Sequence, residues 1–177
     1  MLRASMAALT IRFRRMIGDP AGTDQTWDDD ALQDALDFYQ SQARYLPLTG
    51  RETYAPGGLV SWFDFYADSG DWEDDVQLCT VNWGALAPAT SDLLVGHWTF
   101  TVSQLPTIYL TGKAYDLAGA AADVLEMWAT QLKLQYDFQA HLTRYQRSQK
   151  MRACLELADQ YRRRQKMVAV PQIRGDV

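Results

Sequence analysis

The sequence predicts a mainly α fold of the α+β class: a bundle of about four helices, a small antiparallel β-region between helices 2 and 3, and an extended C-terminal tail. Three observations predict it. Apolar residues recur at helical spacing in two segments before residue 50 and two after residue 110. The stretch 51–110 is instead rich in aromatic and β-branched residues broken by Gly, Pro and Asp. The last residues, 167–177, show no periodicity and contain Pro171. A length of 177 residues suits one domain. It is read as a single helical domain over 1–166 that carries 51–110 as a β-rich insertion, followed by a mobile tail over 167–177.

The first helix carries Leu9, Phe13, Met16 and Ile17 on one face, with Arg12, Arg14 and Arg15 mainly elsewhere. Gly18-Asp19-Pro20 stops it, because Gly accepts the left-handed C-cap conformation and Pro cannot continue a helix. The Arg-rich, acid-free start resembles a transit peptide in composition, yet the apolar run breaks at Arg12 and no small-residue cleavage site follows. Asp28-Asp29-Asp30 opens the second helix, where negative charge meets the positive end of the helix dipole, and Thr26 or Asp28 is its N-cap. Its stripe is Leu32, Leu36, Tyr39 and Ala43, and Pro47 ends its reach.

In the middle region, residues 59–66, a turn at Asp68-Ser69-Gly70-Asp71 and residues 76–81 read as a β-hairpin. Residues 97–102 alternate like a further strand, and 107–110 form a short last one after Pro106. The third helix is expected over about 113–138, with Leu117, Ala121, Val124, Leu125, Trp128, Leu132 and Tyr136 on one face. Its run Ala118-Gly119-Ala120-Ala121-Ala122 has almost no side-chain bulk, so another backbone can approach closely. The fourth helix runs over about 144–165, with Met151, Leu155, Ala158 and Tyr161 as its stripe.

Composition bounds the function. With 47% apolar residues and six Trp the chain can bury a core, which excludes wholesale disorder. No run approaches the roughly eighteen apolar residues of a membrane span. The net charge of −5 conceals segregation: residues 17–40 hold seven Asp and no base, 51–80 hold seven acids against Arg51, and from His141 onward nine bases face three acids. Opposite charges at the two ends of one chain suit oriented head-to-tail association, and they equally suit ordinary solvated faces. Cys79 and Cys154 read as free buried thiols.

Catalytic constellations are scarce. His97 and His141 have no second ligand at metal-binding spacing, and neither a nucleophile elbow nor a phosphate loop is present. The acidic group Asp68, Asp71, Glu73, Asp74 and Asp75 has the density of a cation or acid/base site but not calcium-loop spacing, and reads as a solvated hairpin tip. Trp62, Trp72, Trp83 and Trp98 suit a sugar platform, a core or an interface. Arg162-Arg163-Arg164 with Lys166 suits phosphate, but cations also belong at a helix C-terminus. No cofactor, metal or catalytic residue is expected.

Four segments together resemble a known family: Arg15 to Pro20 after an opening helix, Trp27 to Leu36, Thr111 to Asp123 leading into a long helix, and Arg147 to Lys150 opening the last. This order resembles the head–tail connector (adaptor, or head-completion) proteins of siphophages and prophages. The resemblance implies a non-enzymatic structural subunit of the virion neck, assembled in the host bacterial cytoplasm. Such subunits form a ring, usually dodecameric, beneath the portal protein. The ring extends the channel through which genomic DNA passes without sequence-specific binding, and it docks a stopper or tail-completion protein. It also implies that the C-terminal segment grips the portal, by position Arg163, Arg164, Lys166, Val168, Val170, Ile173 and Arg174. Ala118, Ala121, Ala122, Asp71 and Trp72 are the subunit-interface candidates. No membrane is involved. A tail-completion or stopper protein of the same neck is the alternative, and a carbohydrate-binding module is the outsider.

Overall fold

The computed structural model describes residues 3–54, 57–133, 138–140, 143–145 and 147–165. A short 3₁₀ turn, Ala4–Met6, leads into α1, Ala7–Ile17. Leu9, Phe13 and Ile17, each four residues from the last, are buried on one face. Gly18 closes the helix at φ +71°, and its N–H bonds to the Arg14 carbonyl as a left-handed C-cap requires. Helix α2 spans Asp29–Phe38, and Asp28 is its N-cap, accepting 2.7 Å from the Ala31 N–H.

The mainly helical fold class is corrected at this point. The protein is α+β with two four-stranded antiparallel sheets, about 29% strand against 38% helix, so the β-region is a partner of the helices and not a small insertion. It starts earlier and ends later than 51–110. Helix α2 gives way to β1 at Gln40, because Gln40–Pro47 pairs with Ile108–Tyr115 (β8). Ladder pairing with a distant strand overrides the helical stripe expected through Ala43. The remaining strands are β2 Thr49–Tyr54, β3 Val60–Tyr66, β4 Gln77–Thr80, β5 Ala85–Leu86, β6 Thr90–Asp92 and β7 His97–Thr99. The first sheet runs β1-β8-β4-β5 and the second β2-β3-β7-β6. The expected hairpin of 59–66 with 76–81 does not exist, since β3 and β4 belong to different sheets. Between β1 and β2 only Leu48 intervenes. It is buried, and its N–H bonds to the Ile108 carbonyl where the chain turns from one sheet into the other.

Leu48, Phe65, Leu78, Trp98, Phe100, Ile108 and Leu110 fill the space between the sheets. The rest of the chain is helical again. Helix α3, Leu117–Lys133, buries Leu117, Ala121, Val124, Leu125, Trp128 and Leu132, as its periodicity predicts. A two-stranded ribbon, β9 Phe138–Ala140 with β10 Thr143–Tyr145, precedes α4, Arg147–Arg162. Tyr136 lies outside the described residues. Cys154 and Ala158 face the core of α4, while Leu155 is nearly half exposed, which corrects its place in the stripe. The four helices share a second core containing Phe13, Ile17, Leu32, Leu36, Leu125 and Ala158. The two cores meet on β8. Ala114 points into the sheet core and its neighbour Tyr115 into the helical one, the period-two alternation of a strand.

The small-residue run of α3 admits a close approach, but by a side chain of the same chain. A Cβ on Gly119 would lie 2.6 Å from the ring of Tyr39 and 3.0 Å from an Asp116 carboxylate oxygen. Tyr39 is held in place because its hydroxyl donates 2.5 Å to Asp123 and accepts from Arg162 at 3.3 Å. Gly119→Ala is therefore expected to cost a net ~1–3 kcal/mol despite the better helix propensity of Ala. Urea denaturation checks this, and an unchanged or higher midpoint contradicts it.

Candidate functional site

The densest polar arrangement lies where the helical frame meets the sheets. Glu73, in the loop between β3 and β4, is 1% exposed. Its Oε1 accepts from Ser5 Oγ at 2.6 Å and Arg3 Nε at 3.0 Å. Its Oε2 accepts from the Tyr115 hydroxyl at 2.7 Å and Lys113 Nζ at 3.4 Å. Arg3 also forks onto the Asp37 carboxylate of α2 at 2.6 and 2.8 Å, and its backbone N–H donates to Gln33 at 2.7 Å. Burial alone would push the Glu73 carboxyl up. Hydrogen bonds from Ser5, Tyr115 and Arg3 and the Arg3 charge outweigh it and hold the group at about 2. Burial, and then the hydrogen bond to Glu73, push the Tyr115 hydroxyl up. With Ser5, Arg3, Tyr115 and Lys113 all aimed at one fixed anion, this cluster orients the N-terminal turn, the loop and β8 relative to one another.

The expectation of a solvated acidic tip is thus corrected for Glu73, and in part for its neighbours. Asp71, at φ +63°, pairs with Arg12 at 2.7 Å, and Asp75 with Lys113 at 3.3 Å. Trp72 is 2% exposed and donates its indole N–H to the Ser69 carbonyl at 2.7 Å. Of the interface candidates, Trp72, Ala121 and Ala122 are buried within the chain's own cores, Asp71 is tied to α1, and Ala118 is half-buried. A neighbouring subunit meeting this face would touch Ala118 but not the side chains of Ala121 or Ala122.

The basic residues divide in the same way. Arg14 is buried, bonded to Asp29 at 2.6 Å, Asp19 at 3.3 Å and the Trp27 carbonyl at 2.8 Å. Arg162 pins α4 to α3 through Asp123 and, at 3.1 Å, Glu126. Arg163 and Arg164 are exposed at the end of α4, where Arg163 pairs with Asp159. Lys166, Val168, Val170, Ile173 and Arg174 lie outside the described residues, as does His141. His97 stacks on Tyr66 at 4.3 Å and faces Asp64 at 3.1 Å. Both cysteines are free. Cys154 is buried, and burial pushes its thiol up, while Cys79 is half-exposed, which corrects its reading as buried. Among the described residues no His, Cys, Asp and Glu side chains gather as a metal site, and no helix is long and apolar enough to cross a membrane.

Sequence reasoning missed two features. The Glu73 hub is invisible because its donors lie 42 and 70 positions away. The other is an aromatic cluster at the first sheet in which Tyr45 and Trp83 are exposed and Tyr109 is half-buried. Residue type alone points to Trp83, whereas the helical spacing around Tyr45 hides its place on β1. No protein-family model, curated protein or solved structure matches the chain.

The pKa shift sets a pH dependence. The folded Glu73 carboxyl, at about 2, lies below the unfolded value of about 4.3. Its contribution is complete above the unfolded value and is lost as pH falls through the folded one. Glu73→Gln is expected to cost ~2–4 kcal/mol at neutral pH, because Arg3 and Lys113 lose their shared anion. Urea titrations at neutral pH and near the folded pKa check this. The variant should show a smaller acid-induced loss than the wild type, and equal losses contradict the assignment.

Proposed function

We propose that the chain is a non-enzymatic subunit of the head-to-tail joint of a tailed bacteriophage, an adaptor that forms a ring under the portal protein. One observation carries the reading. The segments that resemble the connector family are scattered over the sequence, yet residues from three of them, Ile17, Leu32, Leu36, Leu117 and Ala120, sit in one core. They behave as one helical frame whose members specify each other. That supports a likeness of architecture over a chance likeness of short segments.

In this reading the frame builds the ring and the two sheets form a lobe offered to the next protein of the neck. A ring uses heterologous contacts, one face meeting a different face of the neighbour. The exposed faces of α3 and α4 and the charge segregation of the chain provide unlike faces. The C-terminal segment beyond Arg163 and Arg164 grips the portal. The acid-rich lobe and the Asp-rich segment of 17–40 keep passing DNA from adhering to the channel wall. A stopper or tail-completion protein would share the neck location but would bind the tail side first.

Two measurements test the proposal. The mass of the purified protein, alone and with its cognate portal, should reveal a ring, either preformed or templated by the portal. A monomer that ignores the portal at every concentration contradicts the adaptor reading. Deleting 171–177 should leave the unfolding free energy from urea titration unchanged within ~0.5 kcal/mol and impair attachment to portal-bearing heads. Equal attachment by the truncated protein removes the role assigned to that segment.

A further inference from the structure

Among the exposed large hydrophobic side chains are two neighbouring aromatics, Tyr45 at 54% and Trp83 at 63% exposure. Their rings meet edge to face at 4.7 Å, and Trp83 lies nearly parallel over Tyr109 at 6.2 Å. Both hold left-handed backbone, φ +54° for Tyr45 and +62° for Trp83, a conformation that costs a non-glycine residue ~1–2 kcal/mol. Tyr45 stands in the irregularity where β1 shifts register on β8 between Ala43 and Leu46, a device that re-aims a side chain. Trp83 occupies the turn after β4, its N–H bonded to the Thr80 carbonyl, although glycine follows at the next position. Burial does not repay the strain, since both rings remain mostly in solvent.

These rings border a cleft of about 590 Å³, the size of a small-ligand pocket. Its polar lining includes Asp74, Gln77, Ser91 and Thr111, and no Lys, Arg or His lines it among the described residues. That composition favours a cationic over an anionic ligand. The neighbours of Asp74 are engaged, Glu73 with Arg3 and Lys113 and Asp75 with Lys113, whereas Asp74 is exposed and forms no ion pair among the described residues. Tyr45, Trp83 and Asp74 line the same cleft, and a cation is attracted by an aromatic quadrupole and by a carboxylate's charge alike.

We propose that this cleft receives the cationic side chain of an Arg or Lys carried by a segment of the partner protein that docks on the sheets. The inference takes from the connector reading only that the lobe faces a partner. Its test uses a small free probe, so it can fail while the portal experiment succeeds, and the reverse.

The experiment follows the indole N–H signals of ¹⁵N-tryptophan-labelled protein, with the Trp83 signal assigned from Trp83→Phe. N-acetylarginine amide should move the Trp83 signal in a saturable way, while N-acetylglutamine amide should not. Tyr45→Ala and Asp74→Asn should each weaken the response about threefold to fivefold and leave the other indole signals in place, showing that the fold is intact. Four results overturn the proposal. One is no response to arginine amide. Another is an equal response in Asp74→Asn. A third is a response to chitohexaose or maltohexaose in place of arginine amide, which makes the cleft a saccharide site. The fourth is a Trp83 signal that moves with protein concentration alone, which assigns the cleft to a second copy of the chain.

Discussion

A single buried anion sets the terms for this structure. A carboxylate at 1% exposure costs several kcal/mol unless its oxygens are fully engaged. Glu73 meets that condition only when Ser5 and Arg3 from the N-terminal turn and Tyr115 and Lys113 from β8 are all in place. Arg3 in turn is fixed by Asp37 at the end of α2. One charge thereby ties the start of the chain, the second helix, a loop between the sheets and the strand that enters α3. An apolar contact tolerates sliding, whereas this joint has one satisfied geometry and loses most of its stabilisation if any member shifts.

From that joint the two-core arrangement follows. Residues 114 and 115 serve opposite cores, so β8 belongs to both halves of the molecule. The direction in which β8 leaves the sheet fixes the start of α3, and Asp116 accepts hydrogen bonds from the Ala118 and Gly119 N–H groups there. Tyr39, Asp123 and Arg162 make a second polar clasp on the far side of Gly119, drawing α2, α3 and α4 together. The two clasps together join the helical frame to the sheets through side chains of the N-terminal turn, α2, β8, α3 and α4.

The sequence disclosed what local physics decides. Gly18 as a C-cap and the buried face of α3 follow from spacing and terminal chemistry, and of the two N-cap candidates for α2, Thr26 and Asp28, the structure uses Asp28. The aromatic stretch at 60–66 is a strand as its composition implies. What long-range pairing decides stayed hidden. Gln40–Ala43 has helical spacing but finds β8, and Thr111–Tyr115 reads as a helix approach but completes that strand. The acidic loop resembles a solvated tip because nothing nearby in sequence indicates that Arg3 and Tyr115 reach its third acid, Glu73. Ala121 is legible both as part of the buried stripe of α3 and as a close-packing surface, whereas the burial of Ala122 within the chain's own core is not. The resemblance to connectors rests on the frame, and the sheets, where the aromatic cleft lies, are the part it does not describe.

Coupling through Glu73 makes frame and lobe a single unfolding unit. Four of the six tryptophans, Trp62, Trp72, Trp83 and Trp98, belong to the lobe. Urea unfolding followed together by the near-ultraviolet tryptophan signal and the far-ultraviolet helix signal therefore reports both halves. Coincident midpoints and slopes are predicted. A lobe transition separated from the helical one would contradict the coupling through Glu73 and would make the protein two domains joined by a flexible seam.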